Sequence, residues 1–170
     1  AKDLGMEASI LWAGLPLLEA LSQTISPGEG VRLVRMTSGF TRREFGGQIG
    51  LPDYSVANLE RDKQSLTAEH LLAVVDASRN LDKVKLAKAI IRGETILTQD
   101  IQLTIGGRIH LLITAFGLTR AETARRIGVE TPLISDWIAG RHIPAPENLV
   151  RLAQLFEMSP EEIYSGFKLE

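Results

Sequence analysis

The chain has 170 residues, 44% of them hydrophobic, and its 19 Lys+Arg against 21 Asp+Glu leave a formal charge of -2. That length allows one domain or two small ones, and the apolar share excludes a wholly disordered chain. The sequence contains no cysteine, which excludes disulfide frameworks, thiolate zinc sites and cysteine nucleophiles and makes a reducing, cytoplasmic location the expectation.

Residues 1–25 come first, and Ile10, Leu11, Trp12, Leu15, Leu17, Leu18 and Leu21 make them too apolar for a free tail. A helical extension is expected, serving either as a cap on the neighbouring helices or as a dimer contact. The weakly charged stretch Ala8–Leu18 is about half a membrane span and holds Gly14 and Pro16. Asp3 and Glu7 precede it, so neither a membrane helix nor an export signal is expected.

From Ser26 onward the chain repeats itself. A shift of 78 residues lays Gly39-Phe40-Thr41-Arg42-Arg43-Glu44 on Gly117-Leu118-Thr119-Arg120-Ala121-Glu122. Without a gap, Ile49-Gly50-Leu51 then falls on Ile127-Gly128-Val129, Val56 on Ile134, Leu59 on Trp137, and Lys63 on Arg141. Two homologous units are therefore expected at 26–93 and 104–170.

In the first unit Ser26, and in the second Thr104, is placed to cap a helix. Val31, Leu33, Val34 and Met36 form an apolar stripe that ends at Gly39. Thr41-x-x-Glu44 is a capping box, repeated by Thr119-x-x-Glu122, and Gly50 or Gly128 ends the second helix with a sharp turn. A third helix comes next, with Val56 and Leu59 inward in one unit and Ile134 and Trp137 in the other. Further helices are expected at Ala68–Ala77, Leu81–Ile91, Glu147–Phe156 and Pro160–Tyr164. Residues 95–105 alternate only partly, so a strand, a helix and an extended segment all remain open there; 94–103 is taken as linker. The fold class is all-α.

Three histidines, His70, His110 and His142, share no helical face. No metal site, catalytic dyad, cofactor or enzyme activity is expected.

The second unit resembles the lambda-repressor-like (Cro/Xre-type) helix-turn-helix DNA-binding family from Gly107 to Tyr164. The resemblance rests on Gly117–Val129, Leu133-Ile134-Ser135-Asp136-Trp137, Gly140-Arg141 and Leu149–Tyr164. The first unit is a looser match from Glu29 to about Ile91: Asp62 stands where the second unit has Gly140, and Gly46-Gly47 weakens the second helix. Each helical Gly costs about 1 kcal/mol relative to Ala. Gly46 falls where the family carries a small residue for close helix approach, so only Gly47 is costly.

The resemblance implies two tandem five-helix modules, duplex DNA as partner, and third helices at about 53–61 and 131–139 placed in the major groove. On the first, Asp53, Tyr54, Ser55 and Asn58 face outward; Asn pairs bidentately with adenine, and Ser and Tyr supply hydroxyls. Arg42 and Arg43 before it, with Arg61 and Lys63 after it, are candidates for phosphates. On the second, Thr131, Pro132, Leu133, Ser135 and Asp136 take those places, with Glu130 at the turn. Arg120, Arg125, Arg126 and Arg141 must there outweigh two carboxylates. Residues 27–93 carry 11 basic and 8 acidic residues (+3), and 94–170 carry 7 and 10 (-3). The first unit is accordingly the stronger expected base reader.

Tyr54 is either a packing residue or a contact, and Trp137 belongs to the core. Lys83, Lys85, Lys88 and Arg92 form either a solvated helix face or a phosphate rail. The expected function is a sequence-specific transcription regulator, a repressor rather than an activator, acting as a homodimer. The competing reading is an interaction protein on the same fold, binding another protein through the extension or the second unit.

Overall fold

The computed structural model describes residues 26–78, 83–98 and 101–165. The expected extension at 1–25 lies outside the described residues, as do residues 81 and 82 of an expected helix. No strand occurs among the described residues. Ten helices do: α1 (Pro27–Thr37), α2 (Arg42–Ile49), α3 (Asp53–Glu60), α4 (Ala68–Ala77), α5 (Lys83–Ile91), α6 (Ile105–Ala115), α7 (Arg120–Ile127), α8 (Thr131–Ile138), α9 (Pro146–Phe156) and α10 (Pro160–Ser165).

Local chemistry sets most boundaries. The Ser26 hydroxyl accepts the Glu29 N–H at 3.2 Å, and Thr104 accepts the Gly107 N–H at 3.0 Å, so α1 and α6 start under matched caps. Both capping boxes form. Thr41 Oγ1 accepts the Glu44 N–H at 3.3 Å while the Thr41 N–H donates to Glu44 Oε2 at 2.8 Å. Thr119 and Glu122 repeat this at 3.1 and 2.9 Å. Helices α2 and α7 end at Gly50 and Gly128 with φ of 74° and 75°, a left-handed conformation that turns the chain into α3 and α8.

A second glycine pair fixes how the first and third helices of each half approach. A Cβ on Gly28 would lie 2.2 Å from the Leu59 carbonyl oxygen, and one on Gly106 would lie 2.3 Å from that of Trp137. Leu59 and Trp137 are themselves related by the 78-residue shift, so the same backbone-to-helix contact occurs twice. At Gly46 a Cβ would meet the Leu51 oxygen at 2.3 Å, whereas Gly47 faces open space.

Val31, Val34, Phe45, Val56, Leu59 and Leu71 fill the first half, and Ile109, Leu112, Ile134, Trp137, Leu152 and Phe156 the second. Met36, expected on the apolar stripe, is instead 43% exposed. It lies two residues past Val34, about 200° around the helix, and so points away from the core.

The halves do not close in the same way. Helix α10 packs on α6 at the start of its own half, but α5 packs on α6 across the boundary, as α4 also does. Helix α6 is consequently surrounded by α4, α5, α8 and α10, which is why Ile105–Ala115 is apolar nearly all round. Helix α1 is covered by a 3-10 turn, Ile96–Thr98, within the interval expected as linker. Leu97 and Ile101 there are 1% and 8% exposed and join the core. Of the alternating residues, Ile101 is buried and Leu103 half-buried on non-helical backbone, while Ile105 opens α6.

Polar contacts reinforce the seam. Arg92 Nε pairs with Glu162 Oε1 at 2.7 Å, and Lys88 Nζ donates to the Glu157 carbonyl at 3.2 Å while lying 5.8 Å from the Phe116 ring centroid. Lys83 donates to the Asp76 carbonyl at 2.6 Å. Three of the four cations expected as a solvated face or phosphate rail therefore hold helix to helix.

Candidate nucleic-acid interface

In the first half, the turn after α2 aims the N-terminal end of α3 outward. Asp53 is exposed, Tyr54 is 69% exposed and Asn58 is half-buried. Tyr54 is thus not a packing residue. Ser55, expected outward, is only 7% exposed. It neighbours Val56 on the side of α3 that turns toward the core, which leaves Asp53, Tyr54 and Asn58 as the accessible polar positions.

Arg43, Arg61 and Lys63 are exposed and make no ion pair among the described residues. Arg42 is held differently. Its Nε donates to Glu60 Oε2 at 2.8 Å, and Arg35 Nε donates to Glu60 Oε1 at 2.5 Å. The Glu60 side chain is 1% exposed, Arg35 12% and Arg42 38%. A buried carboxylate therefore anchors one guanidinium in the core and presents the other at the head of α2, with the rest of its N–H groups toward solvent. Arg35 also donates to the Phe40 carbonyl at 2.8 Å, tying α1 to the loop before α2.

The second half lacks this network. Ile113 and Ile138 occupy the positions of Arg35 and Glu60 at the 78-residue shift. Arg120 instead donates from Nη1 to Ser135 Oγ at 3.1 Å. Thr131 and Pro132 are exposed, and Leu133, Ser135 and Asp136 are half-buried. Asp136 accepts from Arg141 Nε at 2.7 Å, with His142 Nε2 at 4.0 Å. Two expected site residues thus neutralise each other. Trp137 is 1% exposed, in the core with Ile134.

Two titrating groups near this face have identifiable causes. The Glu122 carboxyl is held below its ordinary value by hydrogen bonds from Thr119, backbone first and then side chain, and by Arg126 and Arg125. Half-burial lowers the His110 imidazole, and Arg120 adds to it.

Sequence reading misses Glu60 and Arg108. Glu60 lies four residues after Val56, on the buried face of α3, which is the available signal. Arg108 is the only charged residue in Ile105–Ala115, and it is 7% exposed. Its guanidinium donates to the carbonyls of Ile163 (2.7 Å), Tyr164 and Leu103, closing the end of α10. Burial lowers its pKa. Among the described residues no helix is long and apolar enough to cross a membrane.

No curated protein and no solved structure matches the chain. Residues 109–163, from within α6 into α10 and including all of α7 and α8, match the model of a helix-turn-helix family, which suggests a DNA-binding regulator.

Proposed function

We propose that the chain is a sequence-specific transcriptional regulator built of two tandem helix-turn-helix modules, with α3 and α8 as recognition helices and repression as its mode. The observation that carries this reading is the recurrence, 78 residues before the matched α7–Gly128–α8 unit, of the same cap, the same left-handed glycine and the same outward third helix. Duplex DNA is the partner for which that arrangement is suited: a short helix offering Tyr54 and Asn58 to base edges, flanked by Arg42, Arg43, Arg61 and Lys63 for phosphates.

The first module is the principal reader on this view. Its Arg43, Arg61 and Lys63 are exposed and make no ion pair among the described residues, whereas Arg141 of the second is engaged by a surface-side carboxylate, Asp136. As a homodimer, the chain would protect a palindrome with two dissimilar elements in each half, because the two reading faces differ.

Random-sequence selection with the full chain, followed by footprinting on the enriched site, tests the proposal. An enriched motif whose protection is altered by Asn58→Ala is expected. Failure to retain any duplex at low salt would overturn it.

A further inference from the structure

The α7–α9 side of the second half carries a feature that its first-half counterpart lacks. Arg125 and Arg126 on α7 and Arg151 on α9 line one open groove of about 700 Å³, together with Ile127, Gln154 and Leu155. No carboxylate lines it. Arg125 and Arg126 are exposed and make no hydrogen bond or ion pair among the described residues; Arg151 donates from Nη1 to the Ile127 carbonyl at 3.2 Å, which fixes its guanidinium at the rim. Glu122, whose carboxyl senses Arg125 and Arg126, is engaged by the Thr119 cap.

The 78-residue shift supplies an internal control. Where the second half has Arg125, Arg126, Arg151 and Gln154, the first has Gly47, Gln48, Ala73 and Asp76. The same helices pack there without these cations, so the fold does not require them. Three guanidiniums converging on one groove, from two helices and against the acidic balance of residues 94–170, are a specialisation of this surface.

Its position separates it from a duplex on α8. No α8 residue lines the groove. Arg125 and Arg126 come five and six residues after Arg120, about 140° and 240° around α7, so they leave the side on which Arg120 reaches Ser135. Ile127 and Leu155 add an apolar floor, which a phosphate backbone does not use and a side chain does.

We propose that this groove is a docking site for an acidic polypeptide segment of a partner protein, with carboxylates on Arg125, Arg126 and Arg151 and an aliphatic side chain over Ile127 and Leu155. This goes beyond the DNA-reading role of α3 and α8 and does not depend on it.

The test is a titration of the ¹⁵N-labelled full chain with the peptide acetyl-EELEELEE-amide, with acetyl-KKLKKLKK-amide as the charge-reversed control. Anisotropy measurements on the same peptides and on a labelled random duplex run in parallel. Saturable shifts confined to residues 125–128 and 151–155, and affinity falling about tenfold in both R125Q/R126Q and R151Q, are expected. Arg125 and Arg126, expected from the resemblance to offset carboxylates near a duplex, act there only as distant charges on this view, so random-duplex affinity at fixed salt should fall far less than peptide affinity in those variants. Exposed Arg→Gln changes leave the fold intact, and a thermal melt of each variant verifies that. The proposal is overturned by absence of saturation below about 1 mM, by shifts elsewhere, or by equal binding of the basic peptide. Loss of duplex affinity without loss of peptide affinity would likewise overturn it, assigning the groove to phosphates.

Discussion

Removing the Glu60 carboxylate should expose how the first half is held together. Both of its oxygens are occupied, by Arg35 at 2.5 Å and Arg42 at 2.8 Å, and its side chain is 1% exposed. In Glu60→Ala, Arg35 keeps only the Phe40 carbonyl while 12% exposed. Breaking such a buried pair from one side costs about 3–5 kcal/mol. Arg42 is 38% exposed and can turn toward water, so the lower end, about 3 kcal/mol, applies. For a chain of this size that is a fall of about 6–12 °C in Tm. The double variant Arg35→Ile/Glu60→Ile behaves differently. Ile113 and Ile138 already fill these positions in the second half, and apolar replacement of a buried pair is often neutral or better. The partly exposed Arg42 and the Phe40 carbonyl each lose a partner, so the double variant should lie within about 1–2 kcal/mol of the parent. Urea denaturation followed by far-UV circular dichroism measures all three proteins. A double variant as unstable as Glu60→Ala would refute the reasoning, because the cost would then belong to shape and not to an orphaned cation.

Arg42→Ala should weaken binding about equally on every duplex and reduce the salt slope by about 1, as expected for one phosphate contact; titrations at several salt concentrations read it, and an unchanged slope removes Arg42 from the interface. Asn58→Ala should cost about 1–3 kcal/mol on the selected site and nothing on random DNA; equal loss on both contradicts base reading. Gly106→Ala places a methyl 2.3 Å from the Trp137 oxygen and 2.5 Å from that of Ile138, so a loss of about 1–3 kcal/mol is expected in denaturant titrations; Gly107→Ala, whose nearest neighbour is the Thr104 hydroxyl at 3.3 Å, should cost less. The lowered imidazole of His110 stays neutral in the fold while the unfolded chain takes up a proton, so its contribution is full above the ordinary value of 6.5 and is lost as pH falls from there through the folded value. Denaturation midpoints measured between pH 7.5 and 5 should therefore fall less in His110→Gln than in the parent, and parallel profiles would refute the assignment.

The features legible in the sequence are those decided within a few residues. Thr41 and Glu44, or Thr119 and Glu122, carry a complete hydrogen-bond exchange in four positions, and Gly50 and Gly128 carry their own turns. Trp137 can be placed inward from its spacing to Ile134 alone. The features that escape depend on partners far along the chain. Glu60 reads by residue type as a surface group, and Arg35 and Arg42, 25 and 18 residues earlier, make its burial tolerable. Residue type puts Ser55 outward and Met36 inward, whereas the helical period sets Ser55 beside Val56 and Met36 across from Val34. The groove joins Arg125 and Arg126 to Arg151 on another helix, a proximity that a charge pattern along the chain cannot reveal.

Segment charge is the least reliable of the sequence guides, and the seam between the halves explains why. The +3 of residues 27–93 includes Lys88 and Arg92, both turned toward the second half, where Arg92 pairs with Glu162 and Lys88 caps the Glu157 carbonyl. Part of the basic surplus of one half is thus opposed by acids of the other at a shared boundary, away from either third helix. What distinguishes the two reading faces is local. Around α3 the cations Arg43, Arg61 and Lys63 are exposed, and Glu60 turns inward to hold Arg42. Around α8 the acid Asp136 stays at the surface and takes Arg141 with it. An acidic group strengthens an anion-binding face when it is buried beneath the cation and orients it, and weakens that face when it competes from outside. Glu60 and Asp136 fall on opposite sides of that distinction, which is the ground for proposing the first half as the principal reader even with Asp53 exposed on its third helix.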